Sequence, residues 1–505
     1  MGDLDRLKQD VQEGRIDSDR LVDLIVTLQR QLQAAHQRID EQTQRIEALE
    51  KQLGGAATTK VDEPFSVRAE EQRQQARHKK KRKRQRPGRR GRLKTADKIK
   101  LAERTEDVLP DGLDRSQCQL SHVRPVWRLE QGRAVLIAYQ IYRGPNNRYG
   151  RIPGVLGRGA FGLEIVIEIA YLVYVIGLSF DKVCLLLHFF QNLPLRKSQT
   201  DALLKQLARH WESEFDRLCT LLAHSLVVHT DETSWSVNSV WAFLSEKARV
   251  LLFGVHKDAA TLQAVLDPAT FAGIVFSDDA ANYAHFTQAQ KCWAHLLRKA
   301  IKLTLQEPNN PTYRAFTDRL LAIYRQACRV RRDQRLGDAG RARRIAALDD
   351  ELLDLCGPLW FAELPPQEGP AEDYRLLVHE LMRLALARQL FTFVTAPPVE
   401  QPNGACQALD GTNNEAERTL RNVAQARQTG RTNKTLNGAR RQTILTSVLE
   451  SLRLYLATFT LASVLAEVER WSEAGRSCFA ELLEKLNLTP LEQSVLDRVL
   501  PHPSG

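Results

Sequence analysis

Several common protein classes are excluded by what this sequence does not contain. Its eight cysteines, Cys118, Cys184, Cys219, Cys292, Cys328, Cys356, Cys406 and Cys478, include no CxxC pair. That spacing argues against a zinc ribbon, and a chain of 505 residues with so few cysteines is not a disulfide scaffold. Long apolar runs are missing too. The most apolar stretch, Ile165–Phe190, is interrupted by Glu168, Asp181 and Lys182, so its longest uncharged run is the 12 residues Ile169–Phe180. A membrane-spanning helix needs about 20. The opening MGDLDRLKQD has no apolar signal core, and Arg6 stands where a myristoylation motif needs Ser or Thr. Acidic residues are absent between Arg77 and Lys94, a window holding 12 basic ones, whereas the whole chain carries a net charge of only +11. Outside this strap the protein is close to neutral.

What is present suggests several domains. Apolar residues at 43% and charged residues at 26% are ordinary for a globular protein with a real core. Leu21, Ile25, Leu28, Leu32, Ala35, Ile39, Gln42, Ile46, Leu49 and Leu53 recur at alternating steps of four and three, ending at Gly54-Gly55. This is the coiled-coil period, with Gln42 as a polar, register-setting core position. It predicts self-association through residues 1–55. Residues 56–98 form a charged linker in which Pro87, Gly88 and Gly91 break any helix. Its basic run includes Lys79, Lys80, Lys81, Arg82, Lys83 and Arg84. Such a run is an electrostatic footprint for nucleic acid or an anionic membrane; a solvated tail and a nuclear localisation signal are the other readings.

Residues 99–220 read as mostly helical, with Ser198-x-x-Asp201 opening a helix through Trp211. From Leu222 the pattern changes. Ser225–His229, Val240–Leu244 and Val250–Val255 read as strands, Ala259–Leu266 as a helix and Gly273–Phe276 as a fourth strand. This is an α/β order. The first and fourth strands each end at an aspartate, Asp231 and Asp278, at the sheet edge where sites form. Residues 301–404 read as a helical insertion and residues 441–505 as a helical tail. Between them, Asp410–Arg421 runs from a loop into a helix carrying Glu417. Thr412-x-x-Glu415 fits a capping box, which leaves Glu417 for a site. Three converging carboxylates are suited to holding hard divalent cations for phosphoryl transfer. The competing reading is that each aspartate only satisfies turn amides.

Four motifs carry a resemblance. His229-Thr-Asp-Glu-Thr-Ser-Trp235, Ser277-Asp-Asp-Ala-Ala-Asn-Tyr283, Cys292-Trp-Ala-His295 and Asn413-Asn-Glu-Ala-Glu-Arg418 resemble, in the right order, the motifs of transposases of the insertion sequence 66 family. Gly430-Arg431, Lys434 and Gly438-Ala439 also fit. The resemblance covers about residues 150–460. It implies an α/β RNase H-like core over 221–300 and 405–440, interrupted by the helical insertion, with an N-terminal coiled coil and a helical DNA-binding region. It also implies a DDE triad of Asp231, Asp278 and Glu417 with Mg²⁺ or Mn²⁺, cleavage of transposon ends and strand transfer into target DNA. A nuclease that never joins and a retired sequence-specific DNA-binding protein are the rival readings. DNA, a second copy of the chain and accessory proteins are the expected partners, with no membrane; the expected location is the cytoplasm, on the nucleoid when bound to DNA.

Two departures from the family pattern stand out. Only Cys118 and His122 could ligate zinc between coiled coil and core, so no zinc finger and no zinc are expected. Asp279 stands where the family usually has glycine, which makes it a rival ligand. Cys292 and His295 read as structural residues beside the site. Arg418 and Arg421 read either as ordinary ion-pair partners or as contacts to DNA phosphates. Trp235, Trp241 and Trp293 read as core or wall residues, with base stacking as the second reading.

Overall fold

The computed structural model describes residues 94–362, 368–407 and 409–500, together with Val26, Gln33 and Gln37, which are helical. The chain divides into one unit at residues 1–92 and another at 93–505. The seam of the expected coiled coil and the basic strap Lys79–Arg84 lie outside the described residues.

After a short helix, α1 (Thr95–Lys100), the second unit begins with a sheet rather than the expected helices. Strands β1 (Arg104–Val108), β2 (Gln119–Glu130) and β3 (Arg133–Arg143) lie in the order β1-β3-β2. The reason is local. Gln131 and Gly132 both have positive φ, 48° and 77°, which is the two-residue turn whose twist matches a β-hairpin. The β-branched and aromatic residues of β3 then pair along eleven positions with β2. The helical reading holds only from α2 (Leu163–Tyr174), through α3 (Phe180–Gln191) and α4 (Lys197–Ala223). Helix α4 starts one residue before Ser198; its box is closed by the Gln199 side chain, which accepts the Arg196 amide at 3.1 Å.

The second sheet follows the sequence reading closely. Strands β4 (Val227–Ser234), β5 (Ser239–Ser245) and β6 (Arg249–Val255), helix α5 (Ala259–Val265), and strands β7 (Ile274–Ser277) and β8 (Ala289–Lys291) form a five-stranded mixed sheet ordered β6-β5-β4-β7-β8. β4, β5 and β6 are antiparallel; β4, β7 and β8 are parallel. One difference matters: β4 continues past Asp231, which pairs with Ala242 in mid-strand.

Both faces of this sheet are covered. One face, with Val228, Phe243, Val250 and Leu252, packs against α2, α4 and the later C-terminal helices. On the other, Val227 and Phe276 pack against a helical layer: α6 (Trp293–Gln306), α7 (Pro311–Arg332), α8 (Asp338–Trp360), α9 (Pro370–Leu386) and α10 (Thr392–Thr395). A two-stranded ribbon, β9 (Val399–Glu400) with β10 (Cys406–Gln407), leads to α11 (Asn414–Gln428). Leu420 and Val423 of α11 cover Val240, Ala242, Leu251 and Phe253.

The C-terminal part forms four helices, α12 (Leu436–Tyr455), α13 (Leu461–Ala474), α14 (Cys478–Lys485) and α15 (Val495–Val499). Helix α12 is buried nearly all round, and it solves the problem of the edge strand β6. Thr443, Ser447 and Ser451, spaced four apart on one helix face, accept the amides of Phe253, Leu251 and Arg249 at 2.9, 3.0 and 2.9 Å. An edge that would otherwise expose unpaired N–H groups is thereby closed by side chains. Gly254, at φ 78°, admits this approach: a Cβ there would stand 2.9 Å from that of Ala439.

Among the described residues no helix is long and apolar enough to cross a membrane.

Candidate active site

The site grows from the register of two parallel strands. Val227, Val228 and His229 of β4 stand opposite Ile274, Val275 and Phe276 of β7, and the rings of His229 and Phe276 lie 4.5 Å apart. Asp231 and Asp278 each follow this last pair by two residues. Asp231 continues β4, whereas Asp278 lies just past the end of β7, and the negative charge of Asp278 reaches the Asp231 carboxyl.

Asp231 is mostly buried. Its Oδ1 accepts the Glu232 amide at 2.9 Å. Burial first, then the charges of Glu232, Asp278 and Glu417, push its carboxyl up to about 7. Three carboxylates therefore act on one another here. Glu232 points away from them, toward the Tyr283 hydroxyl and Lys257. Asp278 Oδ1 accepts the Ala280 amide at 3.0 Å, and the buried Lys291 ammonium donates to the Asp278 carbonyl at 2.9 Å and to Ser277 Oγ at 3.1 Å. Burial lowers the Lys291 pKa, while the charges of Asp279 and Asp278 oppose that shift. Asp279, the rival ligand of the sequence reading, is paired with Arg383 of α9.

Glu417 comes from the first turn of α11. The N-cap position of that helix is Asn413, not Thr412, and no side chain caps it: the Thr412 hydroxyl donates to Asp410 at 2.7 Å, and Glu415 accepts from Arg249 at 2.9 Å. The capping-box expectation is thus corrected, because the helix begins one residue later than the motif requires. Asn413 then anchors the helix to the sheet. Its Nδ2 donates to the Thr230 carbonyl beside Asp231 at 2.8 Å, and its amide donates to Cys292 Sγ at 3.1 Å. The Glu417 carboxylate receives Arg298 on both oxygens, at 2.8 and 3.0 Å, and stands 3.5 Å from His295 Nδ1.

The four motifs thus meet in one place. Cys292 and His295 lie against Glu417, with their donor atoms all within 4.8 Å of one another. Arg418 and Arg421 are exposed, and Arg418 donates to the Asn414 carbonyl of its own helix at 3.1 Å. Arg418 also lines a cleft of about 1500 Å³ shared with Arg431 and Lys434. Trp241 and Trp293 are sealed in the core and Trp235 is nearly so, which leaves the wall reading and removes base stacking for the first two. Lys291 and Arg298 escaped the sequence reading, and the anchoring role of Asn413, which opens the fourth motif, was not read from it. Lys291 precedes a recognised motif and Arg298 lies one helical turn after His295, which is the only signal those two carry.

The sequence pattern of the Transposase IS66 family matches residues 158–441, more than half of the chain and the whole of this site. No curated protein matches significantly. The chain belongs to the IS66 family of transposases.

Proposed function

We propose that the chain is a DDE transposase that cleaves transposon ends and joins them to target DNA, with Asp231, Asp278 and Glu417 as its triad. The observation that carries this is the β4–β7 register together with the Asp231 carboxyl, pushed up to about 7 by burial and by neighbouring negative charge. A cluster of carboxylate oxygens fits hard divalent cations such as Mg²⁺ or Mn²⁺. When bound, two such ions supply an activated water and stabilise the attacking and leaving oxygens of an in-line displacement at phosphorus. The mixed sheet, three antiparallel strands followed by two parallel ones, supports an RNase H-like core interrupted by the α6–α10 layer.

The chain's own residues divide the remaining work. Asp231 must give up its proton before it can act as a ligand, and burial with the neighbouring negative charges opposes that loss until a cation binds. Asn413 holds α11 against Thr230, so the Glu417 backbone is placed relative to Asp231. Lys291 fixes the peptide of Asp278. Arg418 stands exposed one residue from Glu417, in position to meet a phosphate of the strand being cut. Residues 21–53, as a coiled coil, would bring two chains and hence two DNA ends together. The strap at Lys79, Lys80, Lys81, Arg82, Lys83 and Arg84 would add affinity that falls with salt at a log–log slope near −0.9 per phosphate contacted.

The test is cleavage of a labelled duplex carrying the element's own end, in Mg²⁺ or Mn²⁺, with wild type against Asp231→Ala. Metal-dependent nicking at the end that vanishes in the variant supports the reading, and joined products separate a transposase from a nuclease that only cuts. Tight binding with no cleavage in either metal moves the reading to a retired DNA-binding protein.

A further inference from the structure

Cys292-x-x-His295 alone is half a metal site, which is why the sequence gives no expectation of zinc. The fold adds a third donor from a distant helix. We propose that Cys292 Sγ, His295 Nδ1 and a Glu417 carboxylate oxygen form a binding site for a thiophilic divalent cation of the zinc type, beside the aspartate pair and distinct from it in ligand chemistry.

Four features of the geometry carry this. All three donor atoms lie within 4.8 Å of one another. His295 Nδ1 and Glu417 Oε1 are 3.5 Å apart. That is long for a hydrogen bond, yet two ligands each about 2.0–2.1 Å from one tetrahedral ion stand about 3.4 Å apart. His295 Nδ1 is sealed from solvent and has no hydrogen-bond partner, the state of a ring nitrogen whose lone pair is meant for something else. Cys292 stands just before the 14-residue helix α6 and its sulfur already accepts the Asn413 amide; burial raises its thiol pKa, so a bound cation has to displace the thiol proton.

The surrounding groups suit such an ion. A carboxylate has about four lone-pair positions, so Glu417 can keep Arg298 and still ligate. Arg298 would then be the outer partner that orients a ligating carboxylate. Three protein ligands leave a fourth position open. Ligand softness separates the two neighbouring sites, which share Glu417: sulfur and imidazole suit zinc-like ions, whereas the carboxylate oxygens of Asp231 and Asp278 suit Mg²⁺ or Mn²⁺.

The site shares Glu417 with the triad proposed above, and metal binding measured without DNA tests it separately from the reaction. The full-length chain, stripped with a chelator, is titrated with Co²⁺ as a spectroscopic stand-in and then with Zn²⁺. One equivalent of Co²⁺ should give a thiolate-to-metal charge-transfer band and tetrahedral visible bands, both erased by Zn²⁺. Cys292→Ser should lose the charge-transfer band, and His295→Ala should weaken binding at least about tenfold. Cys118→Ser and Cys406→Ser should change neither. Should Cys292→Ser fail to fold by circular dichroism, His295→Ala and Glu417→Gln carry the test, each with weakened Co²⁺ binding. Wild-type protein that binds Co²⁺ without a charge-transfer band, as carboxylates alone would, overturns the site. So does a band that survives in folded Cys292→Ser, or unchanged affinity in both other variants.

Discussion

The three-stranded and five-stranded sheets of this protein differ in how far their strands are covered. In the five-stranded sheet every residue of β5 is buried, and six of seven in β6. In the three-stranded sheet β2 exposes four residues at its start and buries only Val126 fully. Its ends are tied by ion pairs in water, Arg104 to Glu130 and Arg133 to Glu103. The contrast shows what two covering layers provide. A carboxylate at the exposed start of β2 would be solvated and ordinary, although β3 beside it is buried along most of its length. Asp231, on a sheet closed from both sides, is held near the pH at which it changes charge. The first sheet is open along the start of β2; the second can store unfavourable electrostatics because its packing and edge bonding hold it rigid.

Substitutions can break or sharpen that contrast. Asp231→Asn should abolish metal-dependent cleavage while making the fold more stable at pH 8. An unfolded aspartate gives up its proton near pH 4 and the folded one near 7. Between those values only the folded state keeps the proton, so wild-type stability falls as pH rises through the window and stays low above it. Urea unfolding of wild type and variant should differ by a few kcal/mol, on the order set by 1.36 kcal/mol per pKa unit, at pH 8, and by little below pH 4. Equal stabilities at pH 8 would remove the electrostatic strain from the account.

Trp241→Ala should cost about 3–5 kcal/mol, since the ring is fully buried, stacks on Phe243 and donates to the His256 carbonyl at 2.9 Å. Chemical denaturation measures it, and a loss below about 1 kcal/mol would mean the closed sheet is loosely packed. Ser447→Ala should cost about 1–3 kcal/mol by leaving the buried Leu251 amide without its partner. Hydrogen exchange at Leu251 should accelerate with it; unchanged exchange would show that β6 is protected by something other than α12. Arg104→Ala, on the open sheet, should cost about 0.5 kcal/mol or less, because both partners of its ion pair are substantially exposed. A loss as large as that of Ser447→Ala would erase the distinction between the sheets.

The same difference decided what could be read from the chain. Val250–Val255 and Gly273–Phe276 are continuous apolar runs, the signature of strands buried on both faces, and their limits matched within two residues. The run Gln119–Glu130 mixes polar and apolar residues and contains Pro125, so its strand is specified mainly by the Gln131-Gly132 turn and by pairing with β3. That turn is a weak local signal because Gln is an uncommon residue at positive φ. Asp231, Asp278 and Glu417 were legible because each sits in a short motif beside a strand or at a helix start. Arg298, Lys291 and the anchoring role of Asn413 were not, since their partners lie on other elements.

By itself the sequence determined the element order from Ser225 to Phe276, the three candidate carboxylates, the helical nature of the segment between them and the family resemblance, because hydrophobic period and motif spacing are local properties. The tertiary structure alone decided that His229 and Phe276, each two residues before an aspartate, stand in register, that α11 is pinned by Asn413, that Asp279 is taken by Arg383, and that Cys292, His295 and Glu417 meet. These are contacts between residues far apart in the chain, and only burial and strand register bring them together.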